Sequence, residues 1–518
     1  MSTTDKEQKI LELISKVEKV NPQIVDYWQA TAIIESLGYT DRLIKSEFGF
    51  DDALSLGRYV FDRHHPLPST IPPSSSVKFS RQQFIEELYI FIEQFSRSCV
   101  YAIPLIGLMI LEYIPIKNSI KILEPELTSL LTLATMASLI VSGGFVQMIA
   151  RRGAFYISMG EPFQARRACL SLLYLGIINS LFMGLIGLYF SFYRGWFSDG
   201  YLIIAILYYL LLSLLWMLFA ILTTQFRWGA SLILISITVI FIILRLGLKL
   251  GALEAQILVM SFALLAVIIL VIIAFKQDKK IQPADLKDVK LPRLSAIVYQ
   301  VYSYFFYGLA YFSFIFADRI VAGFAIDTSA GILFAINSKY QRGMDLAIVN
   351  FLLFVPLVEY FSYILIRYWY QEAKLLTTRK IKNFSRKLRQ RYFLTIILIL
   401  LLFSLSSALT LGVVKPLTWG TIETSQAMLG CLGYCFFVLA LLNAILLFSL
   451  NQATIVLKTL TPALMINFGL GYISAQVFGV YWAAIGLIVG AAVFMWLSTQ
   501  QVLQAIAHPD YAYYIGGY

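Results

Sequence analysis

The stretch NFLLFVPLVEYFSYILIRYWY, Asn350 to Tyr370, decides what kind of protein this chain is. It is apolar over about 20 residues, the length that an α-helix needs to cross a bilayer. Glu359 nevertheless lies close to its middle and Arg367 near one end. A carboxylate in hydrocarbon normally faces a protein interior or a water-filled cavity, and we expect no other acid to lie as deep. Glu359 is expected either to line the path of whatever this protein handles or to be paired inside a helix bundle for packing.

The composition extends this interpretation to the whole chain. The 518 residues are 59% hydrophobic and 14% charged, with a mean hydropathy of +0.75. Soluble domains carry more charge and lack repeated apolar runs of about 20 residues. The net charge of +11 would fit nucleic acid binding, but the basic residues cluster in short loops between apolar runs. That distribution is typical of membrane proteins, so we predict contacts with membrane lipids and no nucleic acid partner.

Twelve apolar runs follow the first part of the chain, and a charged linker at 276–293 divides them into two sets of six. They lie at 99–115, 127–150, 169–190, 201–222, 229–246, 254–275, 294–317, 346–367, 393–414, 427–450, 460–477 and 481–502. Six runs on each side of a polar linker are the usual arrangement of a two-lobed transporter. We predict an all-α polytopic membrane protein of about twelve transmembrane helices, with six-helix lobes at 81–275 and 294–518.

Residues 1–80 are predicted to form a small helical cytoplasmic cap, followed within that range by a Pro/Ser-rich linker at 66–76. One helical pattern ends at Asn21-Pro22, a second ends at Gly38, and a third runs through DDALSLGRYVFD. The cap offers no pairing of a nucleophile with a base. It is therefore expected to dock a partner or to regulate.

The distribution of Lys and Arg between the loops predicts the orientation in the membrane. With a cytoplasmic N-terminus, the inner loops carry 21 basic residues and the outer loops carry 8. This bias predicts that both termini of this multi-pass protein face the cytoplasm across the inner membrane. The richest inner loop runs from Lys374 to Arg391. It is expected to be a helix along the membrane surface that anchors the topology near anionic lipid, or that gathers a polyanionic substrate.

The seventh run carries a polar stripe. At about 100° per residue, Gln300, Tyr304, Tyr307, Tyr311 and Asp318 fall within roughly 60° of one another. Tyrosine rings offer a flat apolar surface together with a hydroxyl, which suits sugars and amphipathic ligands. We expect this stripe to face an internal groove. The alternative is that the tyrosines belong to the aromatic belt at the membrane interface.

The eighth run repeats this pattern, because Glu359 and Tyr363 share one face and Arg367 lies on its flank. If the faces of the two runs meet, they form a wet cavity for a proton or cation beside a polar substrate. His64, His65 and His508 are too scattered for a metal site. The chain also lacks a P-loop and any paired catalytic constellation within one loop. We predict neither enzyme activity, nor a metal, nor a cofactor.

Two stretches carry a family resemblance. Twelve spans in two halves resemble the multidrug/oligosaccharidyl-lipid/polysaccharide (MOP) flippase superfamily. Within it, FIFADRI is similar to an aromatic–Asp–basic signature in the membrane subunit of the Pel exopolysaccharide exporter, and matches it at Asp318 and Arg319. That subunit also has an acid followed by Tyr four residues later and Arg eight residues later, which here are Glu359, Tyr363 and Arg367.

The resemblance implies that the chain exports or flips a polysaccharide or a lipid-linked oligosaccharide by alternating access of its two lobes. It implies no cofactor, and it places Glu359, Asp318, Arg319, Arg367 and Tyr363 in the pathway with the tyrosine stripe. Two alternatives stay open. The chain could be a scaffold whose cap recruits a cytosolic glycosyltransferase, or a drug/cation antiporter on the same fold.

Overall fold

A computed structural model of the chain describes residues 3–20, 24, 26–63, 85, 88, 89, 91, 92, 95, 125–226, 228–277, 294–325, 334–373, 381–414, 420–509, 511 and 512. The first predicted span at 99–115, the Pro/Ser-rich linker at 66–76, most of the charged linker at 276–293 and residues 374–380 of the basic loop lie outside these residues. The chain forms two compact units, one containing the N-terminal helices and the other the membrane helices.

The N-terminal unit contains four helices, α1 (Thr3–Val20), α2 (Tyr27–Ser36), α3 (Asp41–Glu47) and α4 (Ala53–Arg63). Their small core consists of fully buried aliphatic side chains, among them Leu13, Val17, Ile34, Ile44 and Leu56. The sequence predicts three of these helices but not α3, because seven residues are too few for a helical period to stand out.

Side-chain caps fix where the helices of this unit begin. The Asp26 carboxylate accepts a hydrogen bond from the Gln29 amide at 2.7 Å and begins α2. The Asp41 carboxylate accepts from the Ala53 amide at 2.9 Å, which joins the start of α3 to the start of α4. Hydrogen bonds from the backbone and side chain of Ser55 lower the pKa of the Asp52 carboxyl.

The membrane unit follows with eleven more α-helices in the described residues. They are α5 (Pro125–Ser158), α6 (Pro162–Arg194), α7 (Asp199–Gln225), α8 (Gly229–Leu246), α9 (Ala252–Gln277), α10 (Leu294–Phe324), α11 (Ser338–Ala373), α12 (Ile381–Val414), α13 (Thr421–Ser449), α14 (Ala453–Phe478) and α15 (Ala484–Ala507), the last preceded by a 3₁₀ turn at Val480–Ala483. Ten are long and apolar enough to cross a membrane, and α8 is a shorter apolar helix. They correspond to the second to twelfth predicted spans. The prediction of an all-α polytopic membrane protein is confirmed.

Most of the membrane helices extend beyond the apolar runs that predicted them, and three of these extensions change an interpretation of the sequence. The interval 317–345 was predicted to be an outer loop, yet α10 continues to Phe324 and α11 already begins at Ser338. Arg319, which the loop count treated as an outer cation, therefore lies inside α10. The described part of the basic loop, 381–391, is continuous with α12 and is not a separate helix along the membrane surface. Charged residues at helix ends break the hydropathy pattern without breaking the helix.

We refer to α5–α9 as lobe 1 and to α10–α15 as lobe 2. Helix α13 is the centre of lobe 2. In its most apolar stretch of 18 residues, 78% of the residues are buried. The helix packs against both α11 and α15. Helix α14 packs against α15 and α10. In the most apolar stretch of α12, only 17% of the residues are buried, so this helix exposes most of its surface.

The two lobes meet where α5 packs along α10, and we call this contact the seam. At its middle the helices cross at Gly143 and Gly308. A Cβ atom placed on Gly308 would lie 2.8 Å from the carbonyl carbon of Gly143, so only glycine permits this approach. Towards one end of α5, the Ser129 hydroxyl accepts from the Ile336 amide at 3.2 Å. Lobe 1 thus touches lobe 2 along most of the length of α5.

Candidate functional site

Three helices of lobe 2 bring charged side chains together in what we call the ion cluster: Asp318 and Arg319 from α10, Tyr340 and Asp345 from α11, and Tyr434 from α13. The Tyr340 hydroxyl donates to Asp318 Oδ2 at 3.0 Å. Arg319 donates from Nη1 to the Tyr434 hydroxyl and from Nη2 to Asp345 Oδ1, each at 3.2 Å. Arg319 Nη1 also lies 3.9 Å from Asp318 Oδ1. One guanidinium therefore joins two carboxylates on different helices.

The ion cluster is deeply buried. The side chains of Asp318 and Arg319 are 0% and 2% exposed, and that of Asp345 is 25% exposed. Asp318 is the most buried acid in the described part of the chain. Its Oδ1 atom accepts no hydrogen bond there and relies on Arg319 alone. Removing one partner of such a buried pair leaves an uncompensated charge, which costs about 3–5 kcal/mol.

The start of α11 positions two members of the ion cluster. The Asn337 side chain accepts hydrogen bonds from the amides of Lys339 and Tyr340 at 3.1 and 3.2 Å, as an N-cap does. This cap places Tyr340 in the first turn of α11, facing Asp318. Gln341 then donates to Asp345 Oδ1 at 2.8 Å and shares that oxygen with Arg319. A cavity of about 10 Å³, roughly the space of one water molecule, adjoins Arg319, Tyr340 and Gln341.

Glu359 lies near the middle of α11 and is half-buried. Tyr311 of α10 lies within electrostatic range of Glu359 and of Tyr434 in the ion cluster. The buried Pro356 precedes Glu359 by one turn inside the helix. A proline there removes one backbone hydrogen bond and bends the helix locally. Glu359 and the ion cluster therefore have Tyr311 as a common neighbour.

The rest of the predicted tyrosine stripe is packed against neighbouring helices, and its Gln300 end reaches the seam. Gln300 accepts a hydrogen bond from the Arg152 guanidinium of α5, and the Arg151 guanidinium lies 5.2 Å from the centre of the Tyr304 ring. Tyr304 and Tyr307 are 8% and 5% exposed and both pack against Phe448 of α13.

Further along α10, Tyr311 stacks on Phe437 of α13 with ring centres 5.6 Å apart. These rings fill this part of the contact between α10 and α13. Gln300 and Tyr304 therefore contact lobe 1, whereas Tyr307 and Tyr311 are packed inside lobe 2.

The structure brings together Asp318 with Arg319, and Tyr311 with Glu359. Tyr363 is half-buried one turn beyond Glu359, and Arg367 is exposed a further turn on. Sequence reasoning missed Tyr340, Asp345 and Tyr434. The first two fell in the predicted outer loop, although the Asn337 cap was a readable signal for an earlier start of α11. Tyr434 stands in an apolar run where nothing marks it out.

The described residues contain no cluster suited to a metal ion, and their cysteines are unpaired. No group of three or more His, Cys, Asp or Glu side chains there could hold a metal ion. Cys169, Cys431 and Cys435 are free thiols.

No family model matches this sequence, and no curated protein matches it either. Several solved structures, in contrast, align with the structure of this chain. An inward-facing multidrug resistance MATE family transporter of the MOP superfamily aligns with a TM-score of 0.55 at 13% identity, over 82% of this chain and 99% of its own. The fold is MATE-like.

An outward-facing MATE family transporter of the same superfamily aligns with a TM-score of 0.53 at 12% identity, over 82% of this chain and 96% of its own. The Vibrio cholerae MATE transporter VcmN, in a mutant form, aligns with a TM-score of 0.53 at 14% identity, over 82% of this chain and all of its own. The predicted resemblance to the MOP superfamily is confirmed at the level of the fold. The closer resemblance to the Pel subunit stays a prediction.

Proposed function

We propose that this chain is a transporter that moves a polysaccharide or a lipid-linked oligosaccharide across the inner membrane by alternating access of its two lobes, with both termini in the cytoplasm. The observation that carries the proposal is the seam. Two helical lobes meet along α5 and α10 through a glycine crossing, and polar or aromatic contacts lie on both sides of that crossing.

The side chains at the seam are suited to a glycan. Tyr304 of α10 lies at the seam beside Arg151 of α5. Tyr307 and Tyr311 follow it along α10 and pack on aromatic side chains of α13 within lobe 2. Separation of the lobes would expose Tyr304 and Gln300 to the space between them, where they could stack on sugar rings and bond sugar hydroxyls. The resemblance to the Pel subunit at Asp318-Arg319 and at Glu359 supports the same substrate class.

We assign Glu359 and Asp318 a role in coupling the binding of a charged species to the ion cluster. Glu359 and Asp318 lie on different helices of lobe 2, and Tyr311 lies within electrostatic range of Glu359. Asp318 is paired with Arg319, which donates to Tyr434. A change in charge at one acid alters the electrostatic free energy of the others, because the surroundings are buried and poorly screened. Binding of a proton, a cation or a charged substrate at Glu359 would therefore influence the ion cluster that joins α10 to α11.

The test measures surface polysaccharide by hexose assay in cells that depend on this chain for export. Glu359→Gln and Asp318→Asn are expected to abolish export while the protein still inserts, as checked by membrane fractionation. Glu423→Gln is the matched control, since Glu423 is a buried acid of the same lobe outside the ion cluster. Normal export by the Glu359 and Asp318 variants would refute their assigned role.

Drug/cation antiport is the second candidate, because solved structures with this fold include multidrug resistance transporters. It predicts that the chain lowers ethidium accumulation in cells and that Glu359→Gln restores it. Ethidium efflux without any change in surface hexose would favour this candidate over glycan export.

A scaffold role is the third candidate, because the N-terminal helices form a compact unit of their own. In this case the cap recruits a cytosolic glycosyltransferase. Deleting residues 1–80 would then remove surface polysaccharide, while Glu359→Gln and Asp318→Asn would leave it unchanged.

A further inference from the structure

A groove on the bilayer-facing side of lobe 2 has the form of a lipid site. It lies between the last turns of α11 and the first half of α12 and has a volume of about 210 Å³. Its walls are Phe361, Ile364, Leu365 and Tyr368 from α11, with Arg391 and Leu394 from α12. For comparison, an engineered apolar cavity of roughly 150 Å³ admits benzene. The groove is therefore large enough for part of a hydrocarbon chain.

Arg391 stands at one end of this groove in a fixed position. Its guanidinium carbon lies 3.5 Å from the centre of the Tyr368 ring, so the plane of the guanidinium is packed on the ring. The side chain is exposed, and no hydrogen bond or ion pair joins its guanidinium to the residues that the structure describes. A guanidinium stacked by its face keeps the N–H groups of its edge for an oxygen acceptor, and phosphate matches that geometry.

The depth of Arg391 fits a phospholipid headgroup. It is the last charged residue before the apolar stretch at 392–414, so it marks where α12 passes from charged to apolar sequence. Lipid phosphates occupy that boundary, whereas acyl chains begin just below it. Leu394 and Ile364, which are 68% and 40% exposed, continue the groove on the apolar side of the boundary.

The surrounding charge favours an anionic lipid over a zwitterionic one. Lys382, Arg386, Lys387 and Arg389 are all exposed on the first turns of α12. Glu372, one turn beyond Tyr368 on α11, is the acid beside them and is also exposed. Basic residues at a membrane surface attract anionic lipid by about 1 kcal/mol each. The local excess of cations outweighs the single carboxylate.

We propose that this groove binds one anionic bilayer phospholipid, with its phosphate on the edge of Arg391 and the first part of an acyl chain between Tyr368, Phe361 and Leu394. Plain anchoring of topology by the basic loop needs neither a groove nor an arginine stacked in place. The site does not depend on which substrate the chain transports.

Native mass spectrometry of the purified full chain tests the proposal, with phosphatidylglycerol and phosphatidylcholine as probes. Wild type is expected to retain one phosphatidylglycerol in preference to phosphatidylcholine. Arg391→Gln should weaken its retention at least about tenfold, the size of one charge-assisted hydrogen bond. Arg389→Gln is the matched control, because Arg389 packs over Phe393, outside the walls of the groove.

Leu394→Trp gives an independent variant, since it fills the groove at an exposed position without changing charge. It should also lose the bound phosphatidylglycerol, and the lipid should no longer raise its melting temperature. Equal losses from Arg391→Gln and Arg389→Gln would overturn the proposal, and so would equal retention of phosphatidylcholine. Preferential retention of a polyprenyl diphosphate over phosphatidylglycerol would also overturn it, because the site would then belong to a transported lipid.

Discussion

The two lobes share an all-helical architecture but are held together differently. In lobe 1, many buried hydroxyls bond to carbonyls of their own helix, as Ser138 and Ser142 do in α5. An apolar cavity of about 260 Å³ lies between α5, α6 and α7, with Phe324 and Phe334 as further walls. In lobe 2, polar side chains cross between helices, as in the ion cluster. The Asn350 side chain joins α11 to Ser406 and Ser407 of α12.

This difference indicates which lobe holds its shape. Hydrogen bonds between helices fix register and rotation, whereas apolar contacts tolerate repacking at similar volume. We therefore expect lobe 2 to behave as a rigid frame and lobe 1 to be the part that adjusts its packing. Four pairs of substitutions test this comparison.

The largest effect is expected from Arg319→Met, which leaves Asp318 and Asp345 facing one another without a cation. The predicted loss is about 3–5 kcal/mol of the free energy of unfolding. Thermal unfolding in detergent measures it. The lobe 1 control is Arg245→Met, since Arg245 is half-exposed and donates one hydrogen bond to the Leu250 carbonyl. Equal destabilisation by both variants would contradict the comparison.

Asn443→Leu should have the next largest effect. The Asn443 side chain accepts from Tyr392 at 2.6 Å and donates to Ser498 and Thr499 at 3.0 and 2.9 Å, which joins three helices of lobe 2. Leaving these buried groups without a partner costs about 1–3 kcal/mol each. Gln256→Leu, which loses one bond to Tyr208 in lobe 1, should cost less in the same denaturation assay.

Enlarging a side chain should change the free energy of unfolding in opposite directions in the two lobes. Ala440 is fully buried in α13, so Ala440→Leu overpacks lobe 2 at a cost of about 1–3 kcal/mol. Ala137 lines the apolar cavity of lobe 1, so Ala137→Leu should be neutral or stabilising by up to about 2 kcal/mol. The comparison fails if Ala137→Leu lowers the melting temperature as much as Ala440→Leu does.

The smallest effect concerns the seam. Gln300→Ala removes the side-chain bond that Arg152 makes across it, a loss of about 0.5–1.5 kcal/mol. Hydrogen exchange should rise in the segments around Arg152 and Tyr304 and stay unchanged in α13. Gln341→Ala, which removes a bond within lobe 2, is the control and should leave exchange at the seam unaltered.

The sequence predicts the membrane helices well, because each must bury about 20 apolar residues and hydropathy measures that requirement directly. It predicts helix ends poorly, since α10 and α11 continue past the apolar residues into polar ones. The identity of Asp318 as a buried acid followed from its stripe on α10. The resemblance added Arg319 as its neighbour.

The ion cluster as a whole could not be predicted. Its members come from three helices, and periodicity shows only which residues share a face of one helix. Tyr434 looks like any aromatic residue in an apolar run until α13 is placed against α10. The groove beside Arg391 depends in the same way on how α11 and α12 lie together. Packing between helices decides both sites.

The glycine crossing of α5 and α10 has the geometry of a fulcrum. Helical rise places Ser129 about 21 Å to one side of Gly143 and Arg152 about 14 Å to the other. A rotation of roughly 15°, a size known from subunit rotations, would shift these ends by about 5 Å and 4 Å in opposite senses. Either shift exceeds the length of a hydrogen bond. The two arms of this lever are unequal, so the Ser129 end would travel farther for the same turn.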